Sequence, residues 1–243
     1  MKLTDYTKLG IKKKMNRKYQ FVFLFIFITL LYSCTPPQQT QSLPTGFVYL
    51  DELIPEIQLD MRYYTTNNFI GTQIDGYNSN KCIISKDAAL ALKNVQNELK
   101  EYGLCLKVLD AYRPQQAVDH FVRWAQDYTD TLNKSEYYPN VPKNELIPEY
   151  IASKSGHSRG STIDLTIVSC VDSTQLDMGG TFDFFGDVSH VKFADITGTQ
   201  RSNRMLLQTL MIKYGFKPYS KEWWHFTLKN EPYPETFFNF PVK

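Results

Sequence analysis

The sequence has few of the residues that metal and thiol sites most often use. Its 243 residues include four cysteines and four histidines, and no two cysteines have the Cys-x-x-Cys spacing. The missing spacing argues against a zinc site built from thiolates. Of Cys82, Cys105 and Cys170, two could form a disulfide in an exported chain, or all three could be buried thiols. A metal centre must therefore be sought among histidines and carboxylates.

The apolar run near the N-terminus is too short to span a membrane. Phe21 to Leu31 is eleven residues long and is interrupted by Thr29, whereas a spanning helix needs about 20 residues. Several lysines and one arginine precede it, which is typical of a signal peptide. The run ends at Leu31-Tyr32-Ser33-Cys34, which resembles a bacterial lipobox in which Cys34 is acylated. An ordinary cleaved signal, an uncleaved anchor, or a true start at Met15 are the alternatives.

These features predict three segments. Residues 1–33 are a lipoprotein-type signal peptide, residues 34–46 are a proline-containing tether, and residues 47–243 are a single domain. They also predict a protein that is exported and lipid-anchored to a bacterial membrane, facing the periplasm or the outside.

The charge balance gives no sign of nucleic-acid binding. The chain has 27 basic and 25 acidic residues. Seven of the basic residues and one of the acidic residues lie in residues 1–33. Residues 34–243 therefore carry 20 basic and 24 acidic residues, a net charge of −4. A net acidic domain lacks the basic surface that nucleic acid requires, so no nucleic-acid partner is expected.

The apolar pattern predicts an α+β domain with a small, mainly antiparallel sheet flanked by helices. Three helices are expected: one over 86–101, one from Pro114 onward and one over 203–214. Ser85 is the expected N-cap of the first. Strands are expected over 58–63, 104–109, 162–170 and 223–228. Residues 171–200 have little regular pattern, and a loop of that length is often functional.

One stretch of the domain combines a histidine with an aspartate in an apolar strand. His157 follows small polar residues, and Asp164 lies seven positions later within Thr162-Ile163-Asp164-Leu165-Thr166. A buried carboxylate is costly unless a cation compensates it. His225, in Glu222-Trp223-Trp224-His225, can complete a set of three ligands. Two histidines and a carboxylate with one open position are typical of catalytic zinc. The alternative is that Asp164 only bonds a nearby turn.

Two further residues have the chemistry that such a centre needs. Glu222 lies three residues before His225, where it could act as general base toward the attacking water. Arg113 follows a strand and precedes a helix, where it could stabilise the developing oxyanion, or simply pair with Asp110 at the surface. His120 is expected to be structural, and His190 is expected either to support the ligands from behind or to be inert.

The combination of motifs resembles the D-alanyl-D-alanine dipeptidases, zinc enzymes of the vancomycin-resistance type. The resemblance covers residues 47–243 and includes Ser153 to Asp164, Asp110 to Pro114, Met178 to Phe184 and Glu222 to His225. These enzymes are related to zinc D,D-carboxypeptidases and to the Hedgehog signalling fold. The resemblance thus implies a Hedgehog/D,D-peptidase-like fold and one Zn²⁺ per chain.

Residue by residue, the resemblance implies a complete site. It implies zinc ligands at His157, Asp164 and His225, a catalytic base at Glu222 and a transition-state-stabilising arginine at Arg113. It also implies that Asp183 binds the substrate's ammonium group and that Ser155 contacts the dipeptide. Gly156 and Ala111 depart from the pattern, where a serine and a glycine are usual, so the fine substrate preference is open.

The predicted function is hydrolysis of D-alanyl-D-alanine and similar dipeptides, in cell-wall dipeptide turnover or salvage. A zinc D,D-carboxypeptidase or endopeptidase acting on peptidoglycan stems is the first alternative, and a non-catalytic lipoprotein that binds cell-wall peptides is the second. The oligomeric state is not predicted.

Overall fold

A five-stranded mixed sheet runs through residues 43–243, the part of the chain that the computed structural model describes. Its strands are β2 (Gln58–Leu59), β4 (Leu104–Asp110), β5 (Thr162–Ser169), β6 (Phe216–Tyr219) and β7 (Glu222–Leu228), in the spatial order β2-β4-β5-β7-β6. β2 is parallel to β4, and the other neighbours are antiparallel. The central strand β5 is almost wholly buried.

A second, two-stranded antiparallel sheet pairs β1 (Phe47–Tyr49) with β3 (Ile83–Ser85). Phe47 is packed by the C-terminal segment, because its ring lies 5.0 Å from that of Phe238 and 5.1 Å from that of Phe240. The segment is held further by a bridge between Tyr77 and the buried Val242. The C-terminal residues thus complete the core on this side.

Six α-helices and four short 3-10 helices surround the sheets in the described residues. The long helices are α2 (Lys86–Lys100), α3 (Gln115–Gln126) and α6 (Gly198–Lys213), and the short ones are α1 (Leu50–Leu53), α4 (Lys134–Tyr137) and α5 (Leu146–Glu149). The 3-10 helices are Arg62–Tyr64, Lys143–Glu145, Gly156–Arg159 and Asp187–Ser189. Ser85 caps α2 by accepting a hydrogen bond from the Ala88 amide, as predicted.

The predicted α+β architecture is confirmed, with local differences. α6 begins at Gly198 rather than at residue 203, because Thr197 and Gln200 form a capping box that starts the helix within a polar stretch. β6 was not predicted, since Pro218 lies within it, and a proline is tolerated there because β6 is an edge strand. The predicted strand over 58–63 is shortened to Gln58–Leu59.

Two of the three cysteines of this region are joined. Cys105 on β4 forms a disulfide with Cys170, which follows β5, and Cys82 is a buried free thiol. The bond links the ends of two neighbouring strands, so the pairing follows from the β4–β5 register, which the sequence did not reveal.

The predicted leader lies outside this region. Residues 1–33, Cys34 and most of the predicted tether are not among the described residues. Within residues 43–243 no helix has the length and apolar character needed to cross a membrane.

Candidate metal centre

Three side chains meet from two neighbouring strands of the five-stranded sheet and from a 3-10 helix. Asp164 on β5 lies opposite His225 on β7 in the antiparallel register, and His157 belongs to the 3-10 helix that precedes β5. Asp164 Oδ1 is 3.0 Å from His225 Nδ1, and Asp164 Oδ2 is 3.3 Å from His157 Nε2. The two ring nitrogens are 3.3 Å apart. One donor atom from each residue therefore lies within 4.8 Å of the others.

The hydrogen bonding around these atoms fits a cation. His157 Nδ1 lies 2.7 Å from the Ala111 carbonyl oxygen, so this nitrogen carries the proton and Nε2 presents a lone pair to the centre. Asp164 is buried, and its Oδ1 accepts no hydrogen bond despite its closeness to His225. A buried carboxylate oxygen without a donor is costly unless a cation faces it. Nitrogen and carboxylate donors in this number match the ligands that zinc takes in catalytic sites.

Asp164 and His225 stabilise each other's ionised forms. Burial of Asp164 favours its neutral form, but His157 and His225 outweigh that effect and lower the pKa of its carboxyl group. Burial of His225 favours the neutral ring, but the Asp164 carboxylate raises the pKa of that imidazole. The centre therefore holds a full negative charge on Asp164, ready to balance a metal ion.

Glu222 stands beside the three donors. It begins β7, and its Oε2 lies 3.3 Å from His225 Nδ1. Burial raises the pKa of the Glu222 carboxyl group, and the nearby Asp164 carboxylate adds to the effect. A carboxylate with a raised pKa holds a proton more firmly, which suits a group that must accept and then donate one.

Arg113 is held by a buried carboxylate at the end of β4. Its Nε and Nη2 donate to Asp110 Oδ2 at 2.9 and 2.8 Å, and Tyr77 donates to Asp110 Oδ1 at 2.6 Å. The guanidinium also lies over the Tyr63 ring, 5.0 Å from its centroid. Arg113 and Asp110 do form a pair, but Asp110 is fully buried and the Arg113 side chain is only 13% exposed, so the pair does not lie at the surface. Arg113 Nη2 is 3.7 Å from Asp164 Oδ2, which places the guanidinium next to the metal ligands.

Asp183 lies in the irregular loop that was expected to be functional. It is buried, and Tyr63 donates a hydrogen bond of 2.8 Å to its Oδ2. Burial, reinforced by the Asp164 carboxylate, raises the pKa of the Asp183 carboxyl group well above its usual value. Its backbone has a positive φ of 59°, a conformation that non-glycine residues adopt at a cost. The surroundings favour an ionised Asp183 only when a cation approaches it.

Ser155 and the other predicted residues line one cavity of about 240 Å³. Ser155 caps the 3-10 helix by accepting a hydrogen bond of 3.3 Å from the His157 amide. The cavity brings together Arg113, Ser155, His157, Asp164, Asp183, Glu222 and His225. His120 and His190 lie elsewhere, near Asp75 and Asp187 respectively.

Three more residues organise this cavity: sequence reasoning considered Asp110 only as a surface partner of Arg113, and it missed two tyrosines. Asp110 and Tyr77 fix Arg113, and Tyr63 fixes Asp183. Asp110 carried a usable signal, since it is an acidic residue that ends a buried strand, as Asp164 is an acidic residue within one. Tyr63 ends the stretch predicted as a strand and Tyr77 lies in the polar loop after it, and no local pattern distinguishes either residue.

Comparisons with known proteins identify similar sequences. A family model described as D-ala-D-ala dipeptidase, of peptidase family M15, matches residues 44–243. A D-alanyl-D-alanine dipeptidase from Enterococcus faecalis (strain ATCC 700802 / V583) is 44% identical over 198 residues, which are 81% of this chain and 98% of that protein. One from Streptomyces coelicolor (strain ATCC BAA-471 / A3(2) / M145) is 40% identical over 197 residues, 81% of this chain and 98% of that protein.

The similarity to a solved structure is weaker. VanYB in complex with D-Alanine-D-Alanine has a TM-score of 0.39 and 16% identity, covering 63% of this chain and 76% of that chain. A likeness of this size carries no argument about function.

The same comparisons correct one prediction. The relatives are described as D-alanyl-D-alanine dipeptidases, and none of these descriptions names a lipoprotein, a signal peptide or a membrane. They contradict the predicted exported and lipid-anchored localisation, which is withdrawn together with the lipid anchor as a partner. The physical reason is that a basic stretch followed by eleven apolar residues is a compositional pattern of low specificity.

Proposed function

This chain belongs to the D-ala-D-ala dipeptidase family and is a zinc metallopeptidase, and we propose that it hydrolyses D-alanyl-D-alanine and similar dipeptides to free amino acids. The observation that carries the proposal is the shared cavity. A site for a metal, a general base, a fixed arginine and a buried carboxylate surround a volume of about 240 Å³. That space suits a small substrate.

His157, Asp164 and His225 are the proposed ligands of one zinc ion per chain. Zinc held there would supply Lewis acidity, which acidifies water and polarises a carbonyl group. The Ala111 carbonyl keeps His157 in the tautomer that such binding requires. The strand register keeps Asp164 and His225 opposite each other.

Glu222 is the proposed general base and acid. It takes a proton from the attacking water and returns it to the amine that leaves when the peptide bond breaks. Its position beside His225, and the pKa that burial raises, support this double role. The proton therefore stays on one carboxylate between the two halves of the reaction.

Arg113 is the proposed stabiliser of the oxyanion that forms on the carbonyl oxygen. A cation that is already fixed costs little reorganisation when the charge appears. The paired hydrogen bonds to Asp110 and the stacking on Tyr63 supply that fixation.

Asp183 and Ser155 are the proposed substrate-binding residues, and Asp183 favours dipeptides over longer stems. A dipeptide presents a free ammonium group at the residue before the scissile bond, whereas a stem peptide presents an uncharged amide there. The amide brings no cation to Asp183, so the buried carboxyl group gains no charged partner and the stem peptide binds less favourably. A D,D-carboxypeptidase acting on stems is therefore the less favoured alternative.

A protein that binds peptides without hydrolysing them is also less favoured. Binding alone needs neither a carboxylate with a raised pKa nor a fixed guanidinium next to the metal ligands, and the cavity contains both. The two groups support catalysis rather than simple retention.

The biological role that we propose is turnover or salvage of wall-derived dipeptides. Deleting the gene should impair growth when D-alanyl-D-alanine is the nitrogen source. Unchanged growth of the deletion strain would remove this role and leave the chemistry untouched.

A panel assay tests the reaction. The full chain is incubated with D-alanyl-D-alanine, the mixed and L-configured dipeptides and a pentapeptide stem, with and without a chelator. We expect the dipeptides to be cleaved faster than the stem, and the chelator to stop the cleavage until zinc is restored. Glu222→Ala should lower kcat at least about 100-fold.

Glu235→Ala is the matched control for the base. Glu235 is exposed and does not line the cavity, so its removal should leave kcat unchanged. A zinc-loaded protein that cleaves no dipeptide would refute the proposed function, and faster cleavage of the stem would favour the carboxypeptidase.

A further inference from the structure

The charged residues that line the cavity are not all paired with a counter-charge within residues 43–243. Glu149, which lines the cavity, forms an ion pair with Lys221. Arg113 is paired with Asp110. Among the lysines and arginines that line this cavity within residues 43–243, Lys154 is the one for which the structure shows no carboxylate partner. Its ammonium group is thus available to an anion that enters the cavity.

Lys154 occupies a well-fixed part of the chain. The preceding carbonyl, that of Ser153, accepts a hydrogen bond of 2.9 Å from the Gln115 side chain. The following residue, Ser155, caps the helix that carries His157. The Lys154 ammonium lies over the Phe237 ring, 4.8 Å from its centroid. The backbone on both sides and the aromatic face together restrict where the charge can lie.

Phe237 itself has a fixed neighbour. Arg159 approaches the same ring at 5.9 Å and makes a two-pronged ion pair with Glu231, with both distances 2.8 Å. The Arg159 charge is therefore neutralised, and Lys154 keeps the unpaired positive charge beside this ring. The residues that line the cavity thus include a buried acid, Asp183, and an exposed cation, Lys154, without a carboxylate partner in the described part of the chain.

An unblocked dipeptide matches this pattern of charge. It carries an ammonium group at one end and a carboxylate at the other, about one residue away on either side of the scissile bond. We propose that Lys154 binds the C-terminal carboxylate of the substrate and makes a free carboxylate a requirement for efficient hydrolysis. This inference rests on the proposed function and deepens it, since it defines the substrate at its second end.

The charge of Lys154 acts on binding more than on chemistry. The carboxylate lies at the far end of the residue that leaves, and its charge does not change as the peptide bond breaks. An interaction that is equal in the ground and transition states lowers KM without raising kcat. An exposed charge such as that of Lys154 is also screened by salt, so its effect should be largest at low ionic strength.

The test compares D-alanyl-D-alanine with its C-terminal amide in full-length wild type, Lys154→Gln and Lys154→Arg. We expect Lys154→Gln to raise KM for the free dipeptide about 10-fold, equivalent to about 1.4 kcal/mol, with kcat within about twofold of wild type. KM for the amide should not change, and Lys154→Arg should retain most of the affinity. Lys229→Gln, which removes an exposed lysine outside the cavity, is the matched control and should change neither KM.

A second measurement separates this proposal from the proposed function. Calorimetric titration of zinc-loaded Glu222→Ala and Glu222→Ala/Lys154→Gln with both ligands reports binding without turnover. If the double variant binds the free dipeptide more weakly but binds the amide equally well, the proposed role of Lys154 is supported, even if the wild type cleaves nothing. Equal losses for dipeptide and amide, or a change in KM below about twofold, would overturn the role of Lys154.

Discussion

Asp110 and Asp164 lie opposite each other on the antiparallel strands β4 and β5, and the pKa values of the two buried carboxyl groups shift in opposite directions. Burial raises the pKa of Asp110, although Arg113 and His157 oppose the shift. The pKa of Asp164 is lowered, because the two imidazoles outweigh its burial. One aspartate thus positions an arginine, and its neighbour carries the negative charge of the metal centre.

Asp110→Asn is expected to weaken catalysis without removing the metal. Arg113 would keep its buried charge but lose its carboxylate, which lowers the free energy of unfolding by about 3 kcal/mol. The freed guanidinium should lower kcat about 10- to 100-fold with a smaller change in KM. Stopped assays and denaturant titration measure the two effects.

Tyr77→Phe serves as the milder comparison for the same carboxylate. It removes one hydrogen bond of 2.6 Å to Asp110 and should cost about 1 kcal/mol of stability while leaving the Arg113 pair intact. Full kcat in folded Asp110→Asn would show that Asp110 does not position Arg113.

Asp164→Asn is expected to abolish metal binding. An amide of the same shape removes the negative charge that balances the cation, so zinc affinity should fall more than about 100-fold. Atomic emission on the dialysed protein measures the zinc content. Glu222→Gln is the matched variant, because it should keep its zinc and lose activity. Retention of zinc by Asp164→Asn would mean that Asp164 is not a ligand.

Asp183→Asn is expected to be more stable and less active than the wild type. The raised pKa means that the folded state binds a proton more tightly than the unfolded state, so ionising Asp183 destabilises the fold above the ordinary carboxyl pKa of about 3.9. The stabilisation that comes from protonated Asp183 is present at acid pH, and it is lost as pH rises through the raised pKa of this group. Asparagine has no such loss and tolerates positive φ, so Tm at neutral pH should rise by about 2–4 °C.

The activity of the same variant tests the ammonium clamp. In the wild type, KM for the dipeptide should rise as pH falls through the raised pKa, because Asp183 then loses its charge. Asp183→Asn should have a high KM that lacks this dependence. A pH profile of KM that is identical in both proteins would contradict the clamp.

Gly156→Ser is expected to impair the site, and Thr162→Ala is expected to restore it. A Cβ at position 156 would lie 2.9 Å from Thr162 Oγ1, which is itself bonded to Thr227 Oγ1 at 2.9 Å. The resulting shift next to His157 should lower kcat/KM about 10-fold. Removing the threonine hydroxyl makes room for the serine, so the double variant should be more active than additivity predicts.

A double-mutant cycle on kcat/KM provides the measurement. A coupling of about 1 kcal/mol in the restoring direction is expected. Strictly additive effects would show that the contact between positions 156 and 162 does not govern the site.

The helices and the candidate ligands of this protein could be predicted from its sequence, because they depend on local patterns of residues. Apolar residues at helical spacing and a serine N-cap predicted the helix Lys86–Lys100. An aspartate within a β-branched run, with histidines before it and far after it, predicted the candidate ligands. Residue type alone limits which side chains can hold zinc, so few candidates had to be considered.

Tertiary structure decided what depends on strand register and on distant contacts. Asp164 faces His225 only because β5 and β7 pair in one register, and a shift by one residue would turn one side chain to the other face of the sheet. Tyr63 meets Asp183 across 120 residues, and Asp110 becomes a positioning group only once Tyr77 and Arg113 fold onto it. The sequence by itself determined which chemical groups were available. The strand register and the packing of loops against the sheet decided which of these groups share a cavity. Side chains that meet across strands leave no local pattern in the sequence, so their proximity could not be predicted.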